Sequence, residues 1–365
     1  MMHTRVPFGS PAPREDAADV RAAIERVVSS GWYVLGPEVS AFETEFAEAC
    51  GAAHAVGVGT GTDAIALILR ALGIGPGDEV ITTPLSAAYT ALAVMMAGAR
   101  PVFADIDPER LTIDPAAVEA AVTSRTRAIL PVHLYGQAAD MSALQRIAER
   151  HNLALVEDAC QAHLSTSQGR PVGTIGVAGA FSFYPTKNLG ALGDGGAIVT
   201  GDGALAARLR RLRNGGQTNR YHHQEPGLNS RLDEMQAAIL RARLPYLRAW
   251  TNRRKTAAAS YRTALAGAPV HVPREFDAGH VYHLFVVRTS HRARLQQHLT
   301  ADGIETLVHY PVPIPRQPAL STESPADCPV AARACDEILS LPLHPGLTDQ
   351  DVAAVAASVH TFSEV

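Results

Sequence analysis

Short apolar runs alternate with stretches of helical period from about Ala53 to Thr200. HAVGVG precedes TDAIALILRAL, DEVITT precedes AAYTALAVMMAG, RAILPV precedes ADMSALQRIAERH, and LALVED follows. Strands buried on both faces read as continuous apolar runs, and parallel neighbours need a crossover helix between them. The pattern therefore predicts an α/β fold built on an open, mostly parallel sheet flanked by helices. Functional groups belong at the carboxyl ends of those strands.

AFSFYP and GGAIVT read as two further strands, and the intervening PTKNLGALGDGG is too glycine-rich for helix or strand and reads as a loop at the sheet's edge. From Leu232 to about Leu265 the pattern is nearly continuous helix, broken or kinked at Pro245, where a ring replaces the backbone donor. This element bridges to a smaller α+β unit: VYHLFVVRT as a strand, RARLQQHLTADG as a helix closing on a glycine, a proline-rich loop HYPVPIPRQPAL, and two helices around Ala331 and Val352. The expected division is residues 1–245 for the large domain with the N-terminal segment and 246–365 for the small one. In a chain of this shape the proline loop reads as a cover over substrate in preference to a polyproline ligand for a partner.

Composition narrows the function. The 365 residues are 47% hydrophobic and 19% charged, an ordinary globular balance with mass for two cores. A net charge of −4 and a pI near 6.4 give no field that attracts a polyanion, which argues against nucleic acid. The run Arg208, Arg210, Arg211 and Arg213 reads as a solvated helix face. Four scattered cysteines without CxxC spacing suggest neither metal cage nor disulfide framework. No apolar stretch approaches the ~20 residues a bilayer requires, and no export signal is visible, so a cytoplasmic protein is expected.

Three segments carry candidate chemistry. In GVGTGTDA, Gly57, Gly59 and Gly61 close a strand and Thr62 opens a helix, leaving free N–H groups suited to a phosphate; a glycine turn of purely steric origin is the alternative, and a dinucleotide fingerprint would need glycine where Thr62 stands. LALVEDACQAH delivers Glu157 and Asp158 at a strand end, with Gln161 and His163 beyond. A carboxylate there can hold a heteroaromatic nitrogen protonated, or it can simply cap the next turn. FSFYPTKNLGALGDGG places Lys187 in a loop after an apolar strand, where burial can lower its pKa and make it a nucleophile. Phosphate anchor, carboxylate and amine in that order are the parts a pyridoxal phosphate site needs. His222 and His223 are adjacent and point apart, so no metal site is expected.

The segments SGWYVLGPEVSAFETEFA, GIGPGDEVITTP, PVHLYGQAADM, VEDACQAH, FSFYPTKNLGALGDGGAIVT, LNSRLDEMQAAIL, HYPVP and LSLPLHPGLTDQDV together resemble the DegT/DnrJ/EryC1/StrS sugar aminotransferases, fold-type I pyridoxal phosphate enzymes, over essentially the whole chain. The resemblance implies that Lys187 carries the cofactor, Asp158 partners its ring nitrogen and Gln161 contacts its ring. It places Gly61, Thr62 and Ser182 at the phosphate, with Asn229 supplied by the neighbouring subunit of a homodimer whose sites lie at the interface. Where many members carry a ring-stacking aromatic this chain has Ala87, with Tyr89 two residues on, and the HYPxPxH loop loses its last histidine. The reaction implied moves an amino group from an amino acid, by default glutamate, through the pyridoxamine form of the cofactor, to a nucleotide-linked keto-6-deoxy sugar. Position C3 is favoured over C4. Substrate contacts are expected from Arg231, His163, Arg316, Tyr310, Tyr89 and Tyr184, while Trp32 and Tyr33 are expected to pack the N-terminal segment. Two other readings remain at this point: an aminotransferase for a keto cyclitol, and a catalytically idle regulator on the same scaffold.

Overall fold

The computed structural model describes residues 6–9, 12, 14–321 and 326–363. Its centre is a seven-stranded sheet formed by β1 (His54–Val58), β2 (Glu79–Thr82), β3 (Arg100–Phe103), β4 (Thr126–Leu130), β5 (Ala154–Asp158), β8 (Ala178–Ser182) and β9 (Gly196–Thr200) in the order β1-β9-β8-β5-β4-β2-β3. Between β5 and β8 lies a minimal hairpin, β6 (Thr166–Ser167) with β7 (Arg170–Pro171). Only β9 runs antiparallel to its neighbours within the central sheet.

Alternate strand residues explain the layers. Val80, Leu130, Val156, Ala180 and Ile198 face α3 (Gly61–Ala71), α4 (Tyr89–Met96) and α7 (Gly203–Leu212) in one apolar cluster. Phe181, Ala197 and Val199 point the other way, into a cluster with Phe42 and Phe46 of α2 (Pro37–Cys50) and Leu240 of α8 (Glu234–Arg243). Ile81, Ile129 and Leu155 share that second side with Leu144 and Ile147 of α6 (Met141–His151), beside α5 (Pro115–Ala121). The N-terminal α1 (Ala17–Ser30) lays Ala23 and Val27 on Ala238.

The long helical pattern resolves into α8, a single 3₁₀ turn at Leu244–Tyr246 containing Pro245, and α9 (Leu247–Ala264). Tyr261 and Ala258 of α9 pack with β12 (Phe285–Arg288), α10 (Arg292–Ala301), β13 (Ile338–Leu341) and α12 (Asp349–Thr361) in a separate cluster. Between them α11 (Pro329–Glu337) enters a further cluster with Leu85 and Leu134.

The predicted strand VYHLFVVRT is strand only in its second half. Val281 donates its N–H to Gly136 O (3.0 Å) and Leu284 to Tyr135 O (3.4 Å), so the first half ties the two apolar units together instead of pairing in a sheet. Gly136 permits this approach: its φ is +94° and a Cβ there would stand 2.9 Å from His283 N.

Candidate active site

Lys187 follows β8 in a tight turn, with its N–H donated to Tyr184 O at 2.8 Å. The next residue, Asn188, donates Nδ2 to Val281 O (3.1 Å) and meets His283 Nδ1 through Oδ1 (3.3 Å), pinning the loop to the interdomain segment. Burial lowers the pKa of the Lys187 ammonium, while Cys160 and Asp158 pull it the other way. The chain has one other lysine, Lys255, which donates to Ala278 O at 2.8 Å. A sequence that uses arginine almost throughout thus keeps a lysine at the one loop where a deprotonatable amine has chemical value.

Asp158 ends β5 with little of its surface exposed. Its Oδ2 accepts from Thr90 Oγ1 (2.8 Å) and its Oδ1 from Cys160 N (3.1 Å), which fixes the plane of the carboxylate. Gln161 is held at both ends: Tyr135 N donates to its Oε1 (2.8 Å), and its Nε2 donates to Tyr310 Oη (3.0 Å). The Tyr135 hydroxyl donates to His309 O, so the HYP segment is locked over this corner. The proline loop folds down because Ile314 N donates to Pro84 O at 2.8 Å. Tyr310 is thereby half-buried, and loss of water pushes its hydroxyl pKa up to about 12.

The glycine turn forms the third wall. Thr60 caps α3, its hydroxyl accepting from Asp63 N at 3.0 Å. Gly61 and Thr62 occupy the first turn, and their N–H groups have no acceptor among the described residues. A Cβ on Gly61 would stand 2.7 Å from Cys160 Sγ and 2.8 Å from Ser182 Cβ. The helix start, the β5 end and the β8 end therefore converge at Gly61, packed too closely to admit a side chain there, and the acceptor-free N–H groups of the helix start are what an anion can use.

Other expected residues fall elsewhere. His163 is fully buried beside Phe181 and Phe183 (ring centroids 5.5 and 5.7 Å), neither ring nitrogen has a partner in hydrogen-bond geometry among the described residues, and burial followed by the Lys187 charge drives its pKa to about 3. Trp32 and Tyr33 are not packed inside; they are 57% and 52% exposed, Trp32 donating Nε1 to Val34 O (2.8 Å). Tyr89 at the head of α4 and Tyr184 beside the lysine are also outward, 65% and 53% exposed. Arg231 donates to Asn214 Oδ1 (3.1 Å), and Arg316 is exposed on the 3₁₀ turn Ile314–Arg316. Asn229 is exposed, and its side chain makes no hydrogen bond with the described residues, while its neighbour Ser230 accepts from Gly59 N at 2.9 Å. His222 and His223 form β11, paired with β10 (Gln217–Asn219) in a surface hairpin. No metal-binding cluster exists among the described residues.

The arginine run is solvated only in part: the side chains of Arg208 and Arg210 stay about 40% exposed, yet the run is paired with carboxylates and its last member is buried. Arg213 is buried against Glu43 and donates to Gly57 O (2.6 Å), Arg208 reaches Glu225 (2.9 Å) and Ala71 O (2.8 Å), and Arg211 meets Glu225 at 3.3 Å. Thr90, Tyr135 and His309 escaped the sequence reading. Their roles arise from contacts between segments far apart in the chain, and the only local sign was Thr90 lying in the altered segment TTPLSAAYTA.

A family model described as the DegT/DnrJ/EryC1/StrS aminotransferase family matches residues 14–360. The dTDP-3-amino-3,4,6-trideoxy-alpha-D-glucose transaminase of Streptomyces venezuelae is 50% identical, over 99% of this chain and 97% of its own length. The erythromycin biosynthesis sensory transduction protein EryC1 of Saccharopolyspora erythraea is also 50% identical, over 94% of each chain. The X-ray structure of S. venezuelae DesV in complex with a ketimine intermediate matches with a TM-score of 0.95 at 50% identity, covering 98% of both chains. Fold and site together define an aminotransferase of the pyridoxal phosphate class. The chain belongs to the DegT/DnrJ/EryC1/StrS aminotransferase family.

Pyridoxal 5′-phosphate suits the residues present: an amine with a lowered pKa, a carboxylate set by two donors, and a helix start whose N–H groups lack acceptors.

Proposed function

We propose that this enzyme transfers an amino group from an amino acid, glutamate by default, to C3 of a nucleotide-linked keto-6-deoxy sugar in amino-sugar biosynthesis in the cytoplasm. The observation that carries the reading is Lys187, its amine favoured in the neutral form by burial, beside the Asp158–Thr90 pair. The bound cofactor supplies a carbonyl carbon that condenses with amines and a ring that takes up an electron pair. With the cofactor bound, Lys187 Nζ would hold that carbon and, once free, would carry the proton from the donor's α-carbon. Asp158 stabilises positive charge on the ring nitrogen, and Thr90 keeps its carboxylate in register. Gly61, Thr62 and Ser182 hold the phosphate, and Gln161 borders the ring.

The substrate class is supported by the name of the Streptomyces relative, a dTDP-3-amino sugar transaminase. Asn229, exposed and with a side chain that bonds to none of the described residues, is suited to a partner subunit's phosphate in a homodimer. Tyr89, Tyr184, Tyr310, Arg231 and Arg316 remain the candidates for sugar and nucleotide. Residues 1–245 and 246–365 act as the two domains. The intact Lys187 opposes an idle regulator, and the relative's name favours a nucleotide sugar over a keto cyclitol. Incubation with pyridoxal phosphate, glutamate and a dTDP-3-keto-6-deoxy sugar is expected to give the 3-amino sugar by mass spectrometry. Turnover of a keto cyclitol alone, or cofactor binding without turnover of any keto substrate, would contradict it.

A further inference from the structure

The lysine loop has a second side. Pro185, Thr186 and Lys187 form one wall of a cavity of about 560 Å³ whose other walls come from the N-terminal segment, α9 and the turn after β13. Four guanidinium groups line it, those of Arg14, Arg243, Arg253 and Arg254, against two carboxylates, Glu15 and Asp16, leaving a surplus of two positive charges. The carboxylates are already engaged: Arg253 bonds both oxygens of Glu15 at 2.9 and 3.0 Å, and Arg243 reaches Asp16 at 2.8 Å. The surplus therefore resides on Arg14 and Arg254.

Arg254 is 7% exposed, with Nη1 donated to the carbonyls of Tyr282, His283 and Leu343, and its Nε has no partner among the described residues. Arg14 is exposed and lies directly over Gly346, where any Cβ would collide with its Nη1. Between them stands His344, 8% exposed, whose ring nitrogens find no partner in hydrogen-bond geometry, although the ring lies near the Pro7 carbonyl. Burial, then the charges of Arg14 and Arg254, lower its pKa, so it stays a neutral imidazole with an N–H to offer. A half-enclosed space holding two uncompensated cations and an unpaired buried imidazole lacks an anion.

We propose that this cavity seats the carboxylate of the amino-acid donor, with Arg14 and His344 as its polar contacts and Arg254 as the buried charge behind them. The inference rests on the amino-transfer reading above. In an α-amino acid the carboxylate is bonded to the carbon whose proton Lys187 must take, so an anion site on the lysine's own wall suits the donor. The diphosphate of a nucleotide sugar lies several bonds further from its reacting carbon.

The test uses wild type, Arg14→Gln and His344→Gln, following the cofactor spectrum in separate half-reactions, the pyridoxal form with L-glutamate or propylamine and the pyridoxamine form with a dTDP-keto sugar. Each variant is expected to need about tenfold more glutamate for half-saturation, the loss of one charge-assisted hydrogen bond, with propylamine and keto-sugar responses unchanged. Glutamate saturation within about twofold of wild type in both variants would overturn the assignment. So would an equal loss with propylamine, or a loss confined to the keto sugar, which would give the cavity to the diphosphate. Failure of wild-type holoenzyme to respond to any amino acid would instead remove the amino-transfer reading itself.

Discussion

A primary amine is a nucleophile and a base only while unprotonated, and Lys187 is shifted toward that form by losing water rather than by acquiring a cationic neighbour. The same desolvation acts on residues that do no chemistry. His163 and His280 both sit near pKa 3 against an ordinary 6.5, burial being the largest cause in each, with Lys187 and Arg262 the next. The sign follows from proton counting: the unfolded chain binds these protons first, so the stability from neutral histidine is complete above pH 6.5 and is lost as pH falls toward 3. Unfolding free energy from urea titrations is expected to rise with pH between about pH 4 and 6 by about 1.4 kcal/mol per unit for each histidine. His163→Leu should remove one such share, and an unchanged slope would count against a neutral buried His163. Lys187 and Asp158 were legible in the sequence because each stands where an apolar run stops. Thr90 and Tyr135 were not, since what they bond to is decided only when β5 comes alongside the α4 and Tyr135 turns.

Among the elements, the βα succession was legible because strands buried on both faces leave uninterrupted apolar runs, and the break at Pro245 because proline cannot donate. The ion pairs of the arginines along α7 and at Arg213, just beyond its end, were missed for an equally physical reason. Helix-face spacing shows which residues share a side, yet says nothing of the Glu43 and Glu225 carboxylates that fold against it. Arg213 is the member to test, since it is buried beside a buried glutamate and also holds Gly57 O. Arg213→Ala should cost about 3 kcal/mol in chemical denaturation by leaving Glu43 poorly compensated, whereas Arg253→Ala, at the exposed pair with Glu15, should cost less than about 1 kcal/mol. Equal costs would refute the distinction. The strand predicted from Val281 failed in its first half because backbone groups there bond to Gly136 and Tyr135, a tertiary demand that local alternation cannot register.

At the scale of the whole molecule, one chain supplies an amine, a carboxylate and a helix start with free N–H groups, while Asn229 and the exposed Tyr89 and Tyr184 face outward. The shared-site reading predicts that Lys187→Ala and Asn229→Ala proteins, each defective alone, recover activity on mixing, because a hybrid dimer contains one site with both residues intact. No recovery after demonstrated subunit exchange would place Asn229 outside the site. The central claim, that Lys187 bears the cofactor, has a more direct test in a chain with only two lysines. Borohydride reduction of the pyridoxal phosphate-loaded protein, followed by peptide mass mapping, is predicted to find the pyridoxyl group on the peptide containing Lys187 and to find none in the Lys187→Ala protein. Labelling of Lys255 instead, or no label on a protein that transaminates, would contradict the account.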